Sequence, residues 1–217
     1  MKVIYASNAH GALRRGIRYL REHGVREDSR NGPVVVAPGP VCTVYRRPWQ
    51  HVLFGAERDA NPFFHLFEAL WMLGGRNDVA FPAHYAAQLQ LYSDDNVTLN
   101  GAYGFRWRSH FGYDQINLIV DELSANPASR RCVLAMWDAN DWEGVLGTPG
   151  AYEGDLKRAL AGGKDVPCNT HVYFRVRNNE LEMTVCNRSN DAVWGAYGAN
   201  YVHFGMLQEY MAGRLGL

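Results

Sequence analysis

Apolar positions set out the elements. Behind Ser7 and Asn8, either of which can cap a helix, Leu13, Ile17 and Leu20 recur at spacings of four and three, and Gly24 supplies a stop. Arg14, Arg15 and Arg18 form the solvated face of that segment. Over residues 33–54, short β-branched and aromatic runs are broken by Pro38-Gly39-Pro40 and by Pro48, which predicts strands joined by turns. Phe63, Phe64, Phe67, Leu70 and Trp71 then follow helical spacing so densely that the pattern predicts a buried helix, with Glu68 inside it. Ile116, Ile119, Val120 and Leu123 predict an amphipathic helix that ends before Pro127, and residues 132–137 read as a strand. Residues 171–177 and 181–187 flank Asn178-Asn179, a hairpin signature. Tyr201, Phe204, Leu207 and Met211 share one face of a last helix. The fold class is α+β, with mostly antiparallel or mixed strands covered by helices.

Residues 139–166 break this regularity. Gly144, Gly147, Pro149, Gly150, Gly154, Gly162 and Gly163 mark a surface insertion with a short helix around residues 156–160. With 217 residues the chain suits one domain spanning 1–217. Its 22 Lys and Arg balance its 22 Asp and Glu, so no global field points to a nucleic-acid or membrane partner, and any anion must be held by a local arginine cluster. No long apolar run and no signal-type amino terminus are present, and we expect a soluble, cytoplasmic protein. Cys42, Cys132, Cys168 and Cys186 lack metal-type spacing and read as free thiols, with no metal site.

Four features carry candidate chemistry. Pro167-Cys168-Asn169-Thr170 puts a cysteine at a loop-to-strand junction, where a side chain can face a cleft from a rigid support. Alone, such a cysteine is more often a small core residue than a nucleophile. Arg188-Ser189-Asn190-Asp191 gathers a guanidinium, a hydroxyl, an amide and a carboxylate at the end of the hairpin; it fits a solvated turn or an anion site. Ser129-Arg130-Arg131 is a solvated pair or a phosphate site. Glu68 in an aromatic segment is either a structural ion pair or a working carboxylate.

Taken in order, these pieces resemble the thymidylate synthases and the related phage pyrimidine hydroxymethylases. The resemblance rests on Glu68-Ala69-Leu70-Trp71-Met72-Leu73-Gly74-Gly75, Ala102-Tyr103-Gly104-Phe105-Arg106-Trp107-Arg108, Asp114-Gln115-Ile116, Pro127-Ala128-Ser129-Arg130-Arg131, Pro167-Cys168 and Arg188-Ser189-Asn190-Asp191, and it runs from about Arg30 onward. It implies a thymidylate synthase-like mixed sheet covered by helices, with one sheet face used for dimerisation. It also implies that Cys168 adds to C6 of a pyrimidine nucleotide, so that C5 accepts a one-carbon unit from 5,10-methylenetetrahydrofolate. Arg188 would favour the thiolate, and Glu68, with Tyr103 near, would relay protons through water. Arg30, Arg188 and Ser189 would bind the substrate, as would Arg130 and Arg131 reaching into the other subunit of a homodimer. Asn200, aligned by allowing one inserted residue, would read the pyrimidine edge, and Asp191 would accept from the pterin ring.

The product is implied less directly. The resemblance favours dUMP as substrate and dTMP as product, with 5-hydroxymethylation of dUMP or dCMP as the alternative. Asn169 stands where synthases usually carry histidine, and Leu89 and Tyr92 stand where synthases carry tryptophans near the folate. Those indoles shield an exocyclic methylene until hydride arrives; without them water adds. Family members also continue to a His-x-Tyr segment that holds the sugar hydroxyl, whereas this sequence ends at Leu217. A catalytically silent nucleotide-binding or dimerisation fragment is therefore the third reading.

Overall fold

The structure, a computed structural model, describes residues 1–29, 32–55, 58–138, 141 and 165–217. Chain contacts divide it into one unit of residues 1–65 with 191–206 and a second of residues 66–190 with 207–217.

In the first unit, strand β1 (Lys2–Ala6) runs parallel to β4 (Val41–Tyr45), and β2 (Val25–Ser29) pairs antiparallel with β3 (Gly32–Val36). Helix α1 (Ala9–His23) starts at Asn8, whose side chain accepts from the Gly11 N–H, and ends at Gly24, whose N–H bonds to the Leu20 carbonyl. The expected apolar stripe does not face the core. Ala9, Ala12 and Gly16 are the buried residues of α1, while Leu13, Ile17 and Leu20 are half-buried. The reason is close approach: a Cβ on Gly16 would lie 2.4 Å from the Tyr197 ring. Ala6, Ala12 and Tyr197 form one buried cluster, and Ala9, Leu53, Tyr201 and Val202 another. The Tyr45 ring packs against Tyr201 at a tilt of 47° with centroids 4.4 Å apart, and its hydroxyl donates to the Ala196 carbonyl at 3.0 Å. Burial pushes the Tyr45 hydroxyl far above its usual range, aided by Tyr197 and Tyr201, and lifts Tyr201 to about 12.

The second unit is built on the antiparallel order β5 (Val133–Ala135), β6 (Asn169–Arg177), β7 (Glu180–Asn187). Asn178 and Asn179 both adopt left-handed φ, 52° and 60°, the geometry a two-residue hairpin needs. Helix α5 (Gln115–Ala125), capped by Asp114, packs on β5 and β6 with Ile116, Ile119, Val120 and Leu123 buried. Leu134, Met136, Val172, Phe174 and Leu181 fill the same core. On the other sheet face, Val133 pairs with Tyr173 and both side chains are exposed.

Helix α2 (Pro62–Leu73) corrects one expectation. Only Ala69, Trp71 and Met72 are buried, whereas Phe63, Leu66, Phe67 and Leu70 are exposed. Apolar residues surround this helix: exposed Phe67 stacks on Tyr85 with 5.6 Å between ring centroids, and the buried stripe includes Ala69 and Met72. That stripe abuts α4 (Tyr103–Arg108) at Gly104, where a Cβ would lie 2.0 Å from the Met72 carbonyl oxygen. Between them lie α3 (Ala80–Tyr85) and a short 3-10 helix, Ala87–Tyr92. The last helix, α6 (Ala199–Leu215), buries Tyr201 and Phe204 in its first turns and Leu207 and Met211 later. The insertion's short helix and Arg30 lie outside the described residues.

Candidate active site

Cys168 is set by the register of β6 on β7. Asn169 faces Asn187, then an irregularity lets His171 face Cys186. Asn169 is fully buried there, with its amide donating to the Cys186 carbonyl at 2.7 Å, and Thr170 donates to the same carbonyl at 3.1 Å. One step before this anchored pair, the Arg188 N–H bonds to the Cys168 carbonyl at 3.0 Å. The half-buried sulfur then lies 3.9 Å from Arg188 Nη2 and 3.8 Å from Ser189 Oγ. Arg188 is itself tied down: Nε donates to the Pro167 carbonyl at 3.0 Å and Nη2 to the Val166 carbonyl at 3.1 Å. A guanidinium and a hydroxyl thus converge on one sulfur. Cys42, Cys132 and Cys186 form no disulfide among the described residues, and Cys132 is pushed above its usual range by burial.

Glu68 is half-buried on α2, one turn before Met72, and half-buried Tyr103 begins α4 beside Gly104, so the same helix contact carries both. The rest of α4 is structural. Arg106 is fully buried and gives two hydrogen bonds to the Asp141 carboxylate, at 2.9 and 2.7 Å, with others to the carbonyls of Asn100 and Met136. Arg108 bonds Asp114 at 2.6 Å and the Leu73 carbonyl at 2.5 Å. Asp165, three residues before Cys168, accepts from the Gly101 N–H at 2.8 Å, and burial raises its carboxyl above the usual range despite that bond.

Asp191 and Asn200 belong to the first unit. Asp191 Oδ1 accepts from the N–H groups of Val193 and Trp194, and Oδ2 takes no hydrogen bond from a described residue, which leaves an acceptor of the kind a pterin N–H needs. The segment Ala192–Ala196 is a single π turn. Arg58, which the sequence did not single out, donates to the carbonyls of Tyr197 and Val193 at 2.9 and 2.7 Å. Half-buried Asn200 follows in the first turn of α6. Arg130 and Arg131 are exposed beyond buried Ser129, and neither guanidinium makes an ion pair with a described residue. Leu89 is half-buried and Tyr92 exposed on the short 3-10 helix, which carries no indole. Also missed was Trp137, whose indole N–H donates to the Pro167 carbonyl at 2.8 Å; its sequence context shows only an aromatic residue ending a strand. Among the described residues no group of His, Cys, Asp and Glu forms a metal site, and no helix is long and apolar enough to cross a membrane.

Comparison with known proteins completes the picture. Residues 58–217 match the thymidylate synthase family profile. The chain is 52% identical to a deoxyuridylate hydroxymethyltransferase of Pseudomonas phage M6, over 100% of this chain and 58% of that protein. It is 34% identical to a protein of the same description from Bacillus phage SP01, over 82% and 45%, and 29% identical to another from Delftia phage PhiW-14, over 73% and 42%. The chain thus spans about half the length of the curated relatives it matches.

Proposed function

The chain belongs to the thymidylate synthase family, and on that premise we propose that this one-carbon transferase converts dUMP to 5-hydroxymethyl-dUMP. The observation that carries the transfer is the Cys168 sulfur held beside Arg188 and Ser189 by the β6–β7 register. When bound, 5,10-methylenetetrahydrofolate supplies the one-carbon unit. The Cys168 thiolate adds to C6 of the pyrimidine, and the electron pair moves to C5, which becomes nucleophilic. Arg188 balances the sulfur's charge before the addition and takes a phosphate oxygen with its remaining donors. Glu68 passes protons through water to and from the C4 carbonyl, with Tyr103 as its neighbour. Asn200 donates to O4 and accepts from N3–H, which fits uracil. Arg30 adds to the phosphate site. Arg130 and Arg131, exposed and without ion-pair partners among the described residues, serve the nucleotide of a second subunit, so the working enzyme is a homodimer joined through the sheet face of Val133 and Tyr173.

C5 would bond the one-carbon unit and then lose its proton, with tetrahydrofolate as the leaving group, so that the nucleotide would carry an exocyclic methylene. Water adds to that carbon, and the Cys168 sulfur then leaves C6. The sequence alone favoured hydride at this step and dTMP as product. Two observations move the reading to water: the 87–92 helix offers Leu89 and Tyr92 in place of indoles, and the similar phage proteins are described as deoxyuridylate hydroxymethyltransferases. Incubation with dUMP and 5,10-methylenetetrahydrofolate separates the outcomes. Hydroxymethyl-dUMP with tetrahydrofolate, lost in Cys168→Ala, is the expected result; dTMP with dihydrofolate refutes the hydroxymethyl product.

A further inference from the structure

Arg188 is exposed, yet its guanidinium is aimed at one sulfur. A free arginine side chain surrenders rotamer entropy when fixed, so something must hold it. Two backbone carbonyls do part of this, Pro167 through Nε and Val166 through Nη2. The rest comes from Trp137. Its ring lies under the guanidinium, 5.6 Å from centroid to Cζ, within cation–π range. Its Nε1–H donates at 2.8 Å to the same Pro167 carbonyl that accepts Arg188 Nε, so the two lone pairs of one oxygen take both donors. Trp137 is itself placed by the sheet, since the Met136 N–H just before it bonds to the Thr170 carbonyl at 3.0 Å. One side chain therefore ties the end of β5 to the 166–168 segment and to the arginine.

We propose that Trp137 is a positioning residue that holds the Arg188 guanidinium against the Cys168 sulfur. This rests on the reading of Cys168 as the nucleophile. Trp137 acts through Arg188 and the Pro167 carbonyl. Its loss frees Arg188 to swing into solvent, and the sulfur loses a fixed positive neighbour.

The test compares two alkylating reagents of similar size at low salt: anionic iodoacetate and neutral iodoacetamide, with modification of Cys168 quantified by peptide mass spectrometry and exposed Cys42 as internal reference. The ratio of the two rates at one sulfur cancels its accessibility and reads the charge beside it. In the native protein Cys168 favours iodoacetate relative to Cys42, and Arg188→Met removes that preference. Trp137→Leu is expected to lower the ratio about fivefold, the effect of one unit charge roughly 4 Å away in an aqueous dielectric. Trp137→Phe, which keeps a ring and loses the N–H, falls between. If Trp137→Leu is insoluble, the Phe variant decides. A native ratio in the soluble Trp137 variants overturns the proposal. Neither reagent needs nucleotide or folate, so this result stands apart from the product assay.

Discussion

Asp141→Asn isolates the buried ion pair under the site. The Arg106 side chain is 0% exposed and that of Asp141 3%, and the carboxylate accepts two guanidinium bonds while also taking the Asp138 N–H at 3.0 Å. An asparagine keeps the shape but leaves a buried cation facing a neutral amide, together with the carbonyls of Asn100 and Met136. Breaking such a pair from one side costs about 3–5 kcal/mol, because the surviving charge stays desolvated. Against a total stability of about 5–15 kcal/mol, that is a large fraction. Urea titration at neutral pH, followed by tryptophan fluorescence, is expected to show the midpoint falling by about 2 M for a slope near 2 kcal/mol/M. The double variant Arg106→Met/Asp141→Leu removes both charges and is expected to regain most of the loss, since an apolar pair of similar volume is often neutral. With the single variants Arg106→Met and Asp141→Leu measured alongside it, the cycle returns a coupling energy of about 2 kcal/mol or more. An Asp141→Asn loss below about 1 kcal/mol, or a double variant weaker than the single, refutes the reasoning.

Gly104→Ala places a Cβ 2.0 Å from the Met72 carbonyl oxygen and 2.5 Å from Met72 Cα, backbone that cannot rotate away, so a loss of about 1–3 kcal/mol or more is expected; an unchanged melting temperature contradicts it. Asp165 has a folded-state carboxyl raised by burial, so the folded form binds the proton more tightly than the unfolded form. Its contribution is fully present below the ordinary carboxylate range and is lost as pH rises through the raised value. Asp165→Asn, whose amide oxygen can still accept from Gly101, should therefore match or exceed the native protein in stability at pH 7, and the gap should narrow in acid; urea titrations at both pH values check it, and a loss at pH 7 counts against it. Asn200→Asp presents an acceptor where uracil presents O4, and dUMP kcat/KM should fall about a hundredfold while dCMP turnover rises. Retention of the dUMP preference removes Asn200 from the pyrimidine edge.

Elements whose apolar residues share one face were legible. Helix α5, the β6–β7 hairpin and α6 all lie where spacing put them, because burial on one side leaves a period in the sequence. The failures share a physical cause as well. Strand β2, Val25–Ser29, is exposed at every residue, and its pairing with β3 is a backbone interaction that leaves no apolar alternation to read. Strand β1 is held by parallel pairing to a distant segment, which is invisible to local pattern. In α1 the spacing pointed to Leu13, Ile17 and Leu20, but Tyr197 demands small residues, so Ala12 and Gly16 face inward. In α2 apolar residues encircle the helix, and only the partner's glycine identifies the packed stripe.

The candidate site divides in the same way. Residue types in order made Cys168, Arg188 and Ser189 legible, and the β6–β7 register brings those three together. Side chains that act through backbone carbonyls, Trp137 and Arg58, left no such mark. The one-residue insertion needed to align Asn200 with the family has a physical form. A π turn carries one residue more per hydrogen bond than an α turn, and the bonds from Ala196 N–H to the Asp191 carbonyl and from Tyr197 N–H to the Ala192 carbonyl, 2.7 and 3.2 Å, enclose that extra residue. The chain must then fold tightly back to begin α6. Gly198 permits this, since a Cβ there would lie 2.4 Å from the Val193 carbonyl oxygen and 2.5 Å from that of Trp194. Arg58 bonds one carbonyl within the turn, that of Val193, and one just after it, that of Tyr197. The extra residue is thus taken up between Asp191 and Gly198, and Asn200 lies in the first turn of α6, the rigid support that its proposed role at the pyrimidine edge requires.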